Sequence, residues 1–540
     1  MKRSRAVEAG CLLLLLVAVL LLFQSSPTAG DFWWSDAPRH ALDGAFYRDL
    51  LHDLPLSRIK QYAMDYYLQY PALTILFYPP LFPLVEAAFF DLFGVSHHTA
   101  QMTVAAFYLA AAWGIYLFFR RWLGAAPSFA VALLFIGLPE VALWGRQVML
   151  EIPMFAFLIW SAYVLFSPRR SSRLYLLALL LIGAVYTKQT VIFILPVYAW
   201  VLYSQKGAAV LRDRHAWTAA ALFCAGVIPL AVVQLKYGQV NVNSVAGGQW
   251  TQYPLTHWRS WLFYLEQLPA QAGWEVLVPA FLYLALGAVR KELRGGPQLF
   301  LLLWLGWGYL FFSSIALKEP RHTVVLLLPV AFFAVAGILR LLPGRTGTAA
   351  AVAFACLVFG FTTFRRPVPR VGGYREAVDF IAARAPRDSV IVFSGYRDGS
   401  FIFNMRARQG RPDITVLRAD KMLLRVTQRR ELGVVEKPIA EEEIGEMLNR
   451  YGARFVVSQP NFWDDLEAMQ RFQRVLHTSQ FRRVAAIPVT ANTGHEDHQL
   501  EIFENLGAVA SGEQARKWMQ VELPIVGIVV EGSLGARASR

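Results

Sequence analysis

The stretch LFYPPLFPLVEAAFFDLFG at residues 76–94 decides how this chain is folded. It is apolar enough to resemble a membrane span, but Pro79, Pro80 and Pro83 interrupt its start, and Glu86 and Asp91 place carboxylates within it. We therefore predict an interfacial or re-entrant helix at about residues 80–94 that lies on the outer face of a membrane without crossing it. If the stretch did cross, the arginine clusters that follow it would lie on the opposite side.

Composition indicates a membrane protein. Of the 540 residues, 56% are hydrophobic and only 17% are charged, whereas soluble domains usually carry about 25% charged residues. A helical span needs about 20 apolar residues, and eleven segments before residue 365 are candidates. Their approximate cores are 6–23, 101–119, 127–143, 151–167, 174–186, 189–204, 215–236, 274–290, 297–316, 322–341 and 347–364. We predict a polytopic α-helical membrane domain of about 11 transmembrane helices in residues 1–365.

The distribution of basic residues predicts the orientation, because Lys and Arg prefer cytoplasmic loops. They form five clusters: Arg120-Arg121, Arg169-Arg170 with Arg173, Lys206–Arg214, Arg290-Lys291 with Arg294, and Arg340–Arg345. Placing all five inside puts the N-terminus in the cytoplasm and residues 24–100 in a first outer loop, in a plasma (inner) membrane. The net charge of +14 then reflects topology, and no nucleic-acid partner is expected.

Residues 374–540 differ in character from the apolar segments before them. Helical periodicity at 374–384 and 440–450 alternates with short β-rich runs at 389–393, 414–417, 455–458 and 483–488. Residues 523–530 are a candidate for one further strand. We predict a soluble α/β domain here. With the N-terminus and the basic clusters inside, the last of the eleven predicted spans ends on the extracytoplasmic side, so we expect the domain on that side.

Four predicted outer sites carry charged side chains. Asp36 lies in FWWSDAPRH, Glu151 opens a predicted helix in WGRQVMLEIP, Lys188 lies in YTKQT, and Arg321 and His322 end KEPRH. Each has a structural alternative: a solvated interfacial loop, a residue that complements a helix dipole, a snorkelling lysine and a salt-bridged connector, respectively. Because all four fall on one leaflet, we predict a reaction centre outside the cytoplasm.

These residue types suit the transfer of a sugar from a lipid-linked phosphate. A carboxylate can act as general base on an acceptor hydroxyl, while Lys and Arg bind the leaving phosphate and stabilise its developing charge. A donor carried by a lipid also explains a site at the membrane surface.

The motifs resemble, in their order, those of the multi-spanning C-type glycosyltransferases. The chain is most similar to the group of lipid A aminoarabinose transferases and protein O-mannosyltransferases, including related enzymes that act on lipopolysaccharide of the cell envelope. The resemblance covers about residues 30–340. It rests on DAPRHA at 36–41, YPPL at 78–81, LFG at 92–94, Arg146 ahead of Glu151, Thr187-Lys188, and PRH at 320–322 with Leu328-Pro329.

The resemblance implies a GT-C fold, a polyprenyl-phosphate sugar as donor, inversion at the anomeric carbon, and Asp36 and Glu151 as the catalytic carboxylates. This chain departs from the family pattern at three positions. Ala37 replaces an acidic neighbour, Tyr78 replaces a lysine, and Glu151 stands where Asp is commoner. The first departure weakens a metal-binding role for that loop, and the second puts one phosphate or sugar contact in doubt.

Our first hypothesis is therefore an enzyme that moves a hexose or pentose to a hydroxyl of a lipid, glycan or protein. Asp36 would be the base, and Glu151 would position donor, acceptor or an optional divalent cation; no metal ligands are assigned. Further substrate-binding candidates are Lys188, Arg321, His322, Arg39, Arg146 and Tyr78. The polar and aromatic residues of loop 237–273 could bind sugars; they are Asn241, Asn243, Gln249, Trp250, Tyr253 and Trp258. The alternatives are a transporter or flippase of lipid-linked sugars, and an oligosaccharide polymerase or ligase.

Overall fold

A computed structural model gives the fold. It describes residues 2–167, 171–238, 254–289, 293, 295–426, 430, 433–495, 497–507, 518–523 and 526–534. Several predicted features lie outside the described residues: the basic residues Arg169, Arg170, Arg290, Lys291 and Arg294, and the sugar-binding candidates Asn241, Asn243, Gln249, Trp250 and Tyr253.

Helices make up most of the described part of residues 1–365. Their bounds are Lys2–Gln24, Ala37–Asp53, Ile59–Gln69, Leu81–Phe93, His97–Phe119, Ala125–Gly137, Pro139–Gly145, Glu151–Leu165, Arg173–Val185, Leu195–Lys206, Arg214–Tyr237, Trp258–Ala272, Trp274–Val289, Gly296–Ser313, Leu327–Leu341 and Gly344–Phe364. Short 3₁₀ helices Gln189–Ile194 and Pro320–Leu326 lead directly into two of them. The chain is a multi-pass membrane protein.

Not all of the predicted eleven spans are recognisable by length and composition among the described residues. Among the described residues, six helices are long and apolar enough to cross a membrane, or up to eight if each of two bent pairs is one span. The predicted span 127–143 is broken into Ala125–Gly137 and Pro139–Gly145, which meet at 69°. Two others form only the shorter helices Glu151–Leu165 and Arg173–Val185. The prediction of about 11 transmembrane helices is therefore not confirmed.

The proline-rich stretch contains one helix, Leu81–Phe93, which begins directly after Pro79-Pro80. Its 13 residues are fewer than the ~20 needed to cross a bilayer. The Leu81 amide donates to the Tyr186 carbonyl oxygen (3.0 Å), which ties the helix start to the end of Arg173–Val185. Gly94 ends the helix with a φ of 81°, and Ser96 then caps His97–Phe119 by accepting from the Thr99 amide. Its position on a membrane surface stays a prediction.

The C-terminal part contains a five-stranded mixed sheet. Its strand order is Thr415–Arg418, Val390–Ser394, Ala453–Ser458, Gln499–Asn505 and Phe481–Pro488. The first three strands are parallel to one another, and the last two pair antiparallel. Helices Tyr374–Arg384, Asp398–Ala407, Ala419–Leu423, Glu441–Arg450 and Glu467–Leu476 accompany the sheet. The predicted region of strands and helices is thus present. The ends of the four predicted strands differ from the observed ends by no more than two residues.

Shorter antiparallel ribbons complete this part. They pair Val371–Gly372 with Thr490–Ala491, Leu424–Val426 with Val434–Glu436, and Trp518–Leu523 with Ile528–Ser533. The candidate strand at 523–530 overlaps both strands of the last ribbon: it contains the end of Trp518–Leu523 and the start of Ile528–Ser533.

The C-terminal part packs on residues 24–100, the predicted first outer loop. Helix Asp398–Ala407 contacts Ala37–Asp53, and Ile59–Gln69 contacts strands Thr415–Arg418 and Ile528–Ser533. The chain segment around Asp36 therefore lies between the membrane helices and the sheet region.

Candidate active site

Asp36 lies directly before helix Ala37–Asp53, whose start is favoured by Pro38 in its first turn. Its carboxylate oxygen Oδ2 is 3.0 Å from Nη2 of Arg321. The Asp36 carboxylate raises the pKa of the buried Tyr78 hydroxyl further, after burial itself, and the Tyr78 ring packs edge-on against His40 with centroids 4.4 Å apart. Asp36 thus meets a residue almost 300 positions later in the chain.

Glu151 is the first residue of helix Glu151–Leu165 and is buried. Its Oε1 accepts from Lys188 Nζ at 2.5 Å and lies 3.7 Å from Arg321 Nε. Lys188 lies in the short connection between helix Arg173–Val185 and the 3₁₀ helix Gln189–Ile194. Its side chain reaches Glu151 from this connection. The two carboxylates predicted to share a site are therefore joined through one guanidinium.

Arg321 is the centre of the arrangement. Besides Asp36 and Glu151 it pairs with Glu319 (Nε to Oε2, 2.5 Å), and its guanidinium faces the rings of Trp34 and Trp144 at 5.2 and 5.8 Å from their centroids. We call Asp36, Glu151, Lys188, Glu319 and Arg321 the outer charge cluster. It holds three acidic and two basic side chains, all largely shielded from solvent.

Burial and charge act in opposite directions on Asp36. Burial alone would raise the pKa of its carboxyl, but the nearby charges of Arg321 and Arg39 outweigh that effect and hold the pKa well below its usual range. For His40 burial dominates and lowers the pKa to about 4, although the Asp36 carboxylate opposes the shift. At neutral pH Asp36 is therefore ionised and His40 is neutral.

The other predicted site residues fall into two groups. His322 is close to the outer charge cluster: its Nδ1 is 3.4 Å from the Tyr264 hydroxyl, and its Nε2 is 4.0 Å from Glu319. Arg146 is not in the cluster, since its guanidinium donates to the Ala142 carbonyl and to Ser25 Oγ. Arg39 also points away, toward Asp398 of the C-terminal part.

Glu319, Trp34 and Trp144 are members of the site that the sequence did not assign to it. Glu319 was considered only as part of a salt-bridged connector, although its place two residues before Arg321 was a usable signal. Trp34 and Trp144 were not assigned to the site, because their contact with Arg321 depends on long-range packing that local sequence does not report.

In the part of the chain that the structure describes, no group of three or more His, Cys, Asp or Glu side chains is arranged to hold a metal ion. The Arg321 guanidinium lies between Asp36 and Glu151 instead. The optional divalent cation of the first hypothesis stays a prediction.

The membrane helices place the basic clusters far from this site. Lys188 and Arg321 stand at the starts of spans Gln189–Arg212 and Pro320–Leu341, and both spans have basic residues at their other ends. Span His97–Phe119 begins where His97 stacks on Phe32 of the first outer loop (3.9 Å) and ends at Arg120-Arg121. Among the described residues, three basic clusters therefore lie at the opposite end of the bundle from the outer charge cluster: Arg120-Arg121, Lys206–Arg214 and Arg340–Arg345.

Comparison with known structures identifies this architecture. ArnT from Cupriavidus metallidurans bound to undecaprenyl phosphate aligns with 94% of this chain and 99% of its own, at 15% identity and a TM-score of 0.58. Its apo form aligns with 93% and 99%, also at 15% identity, with a TM-score of 0.59. The chain has the GT-C fold. Because the alignments cover nearly the full length, this GT-C fold includes the C-terminal sheet region.

Two further comparisons agree with the GT-C fold. The apo oligosaccharyltransferase of Archaeoglobus fulgidus aligns with 84% of this chain and 69% of its own, at 11% identity and a TM-score of 0.51. The family model described as dolichyl-phosphate-mannose-protein mannosyltransferase matches residues 78–232. A comparison with curated protein sequences found no significant match.

Proposed function

We propose that this chain is an integral membrane glycosyltransferase that moves a hexose or pentose from a polyprenyl-phosphate donor to an acceptor hydroxyl of a lipid, glycan or protein. The observation that carries the proposal is the outer charge cluster, in which Asp36 and Glu151 share Arg321. The GT-C fold and the undecaprenyl phosphate bound to the similar ArnT support the class of donor.

Asp36 is the general base in this proposal. The acceptor oxygen forms a bond to the anomeric carbon while the bond from that carbon to the phosphate oxygen breaks. The acceptor proton passes to the Asp36 carboxylate, and the electron pair of the broken bond leaves with the lipid phosphate. Attack from the face opposite the phosphate inverts the anomeric centre.

Arg321 and Lys188 bind the donor phosphate in this proposal and stabilise the charge that develops on it. In the free chain Arg321 pairs with Asp36, and a carboxylate held at such a low pKa is a weak base. A phosphate that draws the guanidinium toward itself weakens that pairing and makes Asp36 more basic. Glu151 keeps Lys188 and Arg321 together throughout. Donor binding would thus prepare the base.

The proposal is tested with membranes that contain the chain, supplied with undecaprenyl-phosphate mannose or undecaprenyl-phosphate aminoarabinose. Release of undecaprenyl phosphate reports transfer for any acceptor, and mass spectrometry of the membranes identifies the product. We expect Asp36→Asn to lower release by about 10²-fold or more, whereas Asp91→Asn, a half-exposed carboxylate paired with His52, should retain it. A chain that releases no undecaprenyl phosphate but moves the intact donor across vesicles, unaffected by Asp36→Asn, would instead be a flippase.

The site faces away from the cytoplasm in this proposal, because the basic clusters at the other end of the bundle favour the inside of a plasma membrane. Cysteine labelling tests this in a chain whose Cys11, Cys224 and Cys356 are replaced by Ser. Leu56→Cys, on the first outer loop, should react with an impermeant maleimide in intact cells. Ala208→Cys should react only after permeabilisation, and the reverse pattern would contradict the orientation.

A further inference from the structure

The segment that carries Asp36, residues 31–39, is held along its length by the C-terminal part. We call it the Asp36 segment. Just ahead of Asp36, the Phe32 amide donates to Ser400 Oγ (3.1 Å), and Arg397 donates to the Trp33 carbonyl oxygen. Both partners belong to a turn and helix more than 360 residues away in the chain.

The start of the segment is anchored by Asp31. Its carboxylate accepts from the backbone amides of Tyr374 and Arg375 (3.0 Å each) and from Asn404 Nδ2 (2.6 Å). Asp31 and Asn404 are buried, so these bonds form away from competing water. The anchor therefore fixes the start of the segment on the C-terminal part, several residues after helix Lys2–Gln24 ends.

The end of the segment is anchored by Arg39. Two hydrogen bonds join Arg39 Nη2 to the carboxylate of Asp398 (3.0 and 3.1 Å), while Arg39 Nη1 donates to the Ser35 carbonyl oxygen (2.9 Å). One guanidinium thus connects the C-terminal part to the residue directly before Asp36. Asp398 is itself fixed from the other side by Arg418 at 2.6 Å.

Asp36 therefore lies between two anchors that belong to another part of the chain. The Asp36 segment has little regular structure of its own ahead of helix Ala37–Asp53, and Asp36 must keep its carboxylate within reach of Arg321. Displacing a catalytic group by about 1 Å can cost about 10²-fold in rate. The contacts made by the C-terminal part are well placed to prevent such a displacement.

We propose that Asp398 and Ser400 are positioning residues that hold Asp36 in register with Arg321, so that the C-terminal part is required for the chemical step. This inference rests on the proposed function. It gives the C-terminal part a role that acts on turnover more than on donor affinity.

The test compares Ser400→Ala and Asp398→Asn in the full chain in detergent, with Asp398→Glu as the conservative variant. Asp413→Asn is the matched control, since Asp413 pairs with Arg411 in the same part without contacting the Asp36 segment. With the undecaprenyl-phosphate sugar that the wild type uses, we expect kcat to fall about tenfold in Ser400→Ala and about 10²-fold in Asp398→Asn. The KM for the donor should stay within about twofold, Asp398→Glu should recover part of the loss, and the control should retain wild-type kcat.

Hydrogen exchange of the same proteins gives a readout that needs no donor. Amides of the Asp36 segment should exchange at least about tenfold faster in Ser400→Ala and Asp398→Asn than in Asp413→Asn. Wild-type kcat and exchange in both variants, with transfer lost in Asp36→Asn, would overturn this inference alone. A kcat loss that merely tracks the loss of folded protein would also overturn it. Retained transfer in Asp36→Asn would overturn the proposed function and this inference with it.

Discussion

The two ends of the helical bundle both carry ion pairs, but in different environments. At the end with the basic clusters, which we predict to face the cytoplasm and call the inner end, Lys206 pairs with Asp213 and Arg120 pairs with Glu8, whose side chain is 42% exposed. At the outer end, Glu151 is 2% exposed and Arg321 is 9% exposed. The inner pairs are thus partly exposed, whereas Glu151 and Arg321 are enclosed.

This difference indicates which end is functional. An exposed ion pair contributes about 0–1 kcal/mol to stability, so the inner pairs can be explained as topology signals and surface structure. A buried pair often costs more in desolvation than it returns. Enclosed charges that do not raise stability are expected where chemistry requires them, and here they surround Asp36.

The largest effect is expected at the enclosed end, from Arg321→Met. Three carboxylates lose their shared cation, so we expect the free energy of unfolding to fall by about 3–5 kcal/mol and transfer to fall by about 10³-fold. Arg321→Lys should lie between this variant and the wild type, because an ammonium cannot contact three carboxylates with the geometry of a guanidinium. Chemical unfolding in detergent and the release assay measure the two effects, and wild-type transfer in Arg321→Met would remove Arg321 from the site.

A smaller loss is expected from Lys188→Met. Glu151 keeps its contact with Arg321 at 3.7 Å, so the chain should fold while transfer falls by about 10²-fold. Lys236→Met is the matched control, since this lysine is exposed near the end of helix Arg214–Tyr237. Equal rates in the two variants would show that burial next to Glu151 is irrelevant to transfer.

The buried His40 beside Asp36 should make the stability of the chain depend on pH. Folding lowers the pKa of His40 from 6.5 to about 4, so the unfolded chain takes up a proton that the folded chain does not hold above about pH 4. Stability therefore falls as the pH drops from 7 to 4, by about 3 kcal/mol for this residue. His40→Gln should lose this part of the pH dependence in chemical unfolding, whereas the exposed His477→Gln should keep it. Identical pH profiles for His40→Gln and the wild type would contradict the burial of a neutral imidazole.

The smallest effect is expected at the inner end, from Asp213→Asn. Its pair with Lys206 is partly exposed, and Asn can still cap helix Arg214–Tyr237 in place of Asp. We expect a change of about 0–1 kcal/mol in stability and unchanged transfer. A tenfold loss of transfer would erase the distinction between the two ends.

Much of this arrangement could be predicted from the sequence because it depends on local patterns. Apolar runs mark the helices, and the proline-rich stretch marks Leu81–Phe93. Asp36, Glu151, Lys188 and Arg321 could be grouped because each stands next to an apolar segment on the same predicted face, and the structure brings all four together.

The remaining features depend on contacts that no local pattern records. Helix Trp258–Ala272 was predicted to be part of the loop 237–273. It meets Trp274–Val289 at 118°, and Gly273, with a φ of 87°, allows this bend. Arg39 was predicted to bind substrate, yet its partner Asp398 is 359 residues away. Arg146 was expected at the site for its closeness to Glu151, but its helix end turns it toward Ser25.

The account depends most on the claim that Asp36 and Glu151 work as one centre. The direct test is to measure kcat for Asp36→Asn, Glu151→Gln and the double variant with the same undecaprenyl-phosphate sugar. Residues that act as a unit are strongly non-additive, so the double variant should be no more than about tenfold slower than the slower single variant. A double variant whose loss equals the product of the two single losses would show two independent contributions and contradict a shared centre.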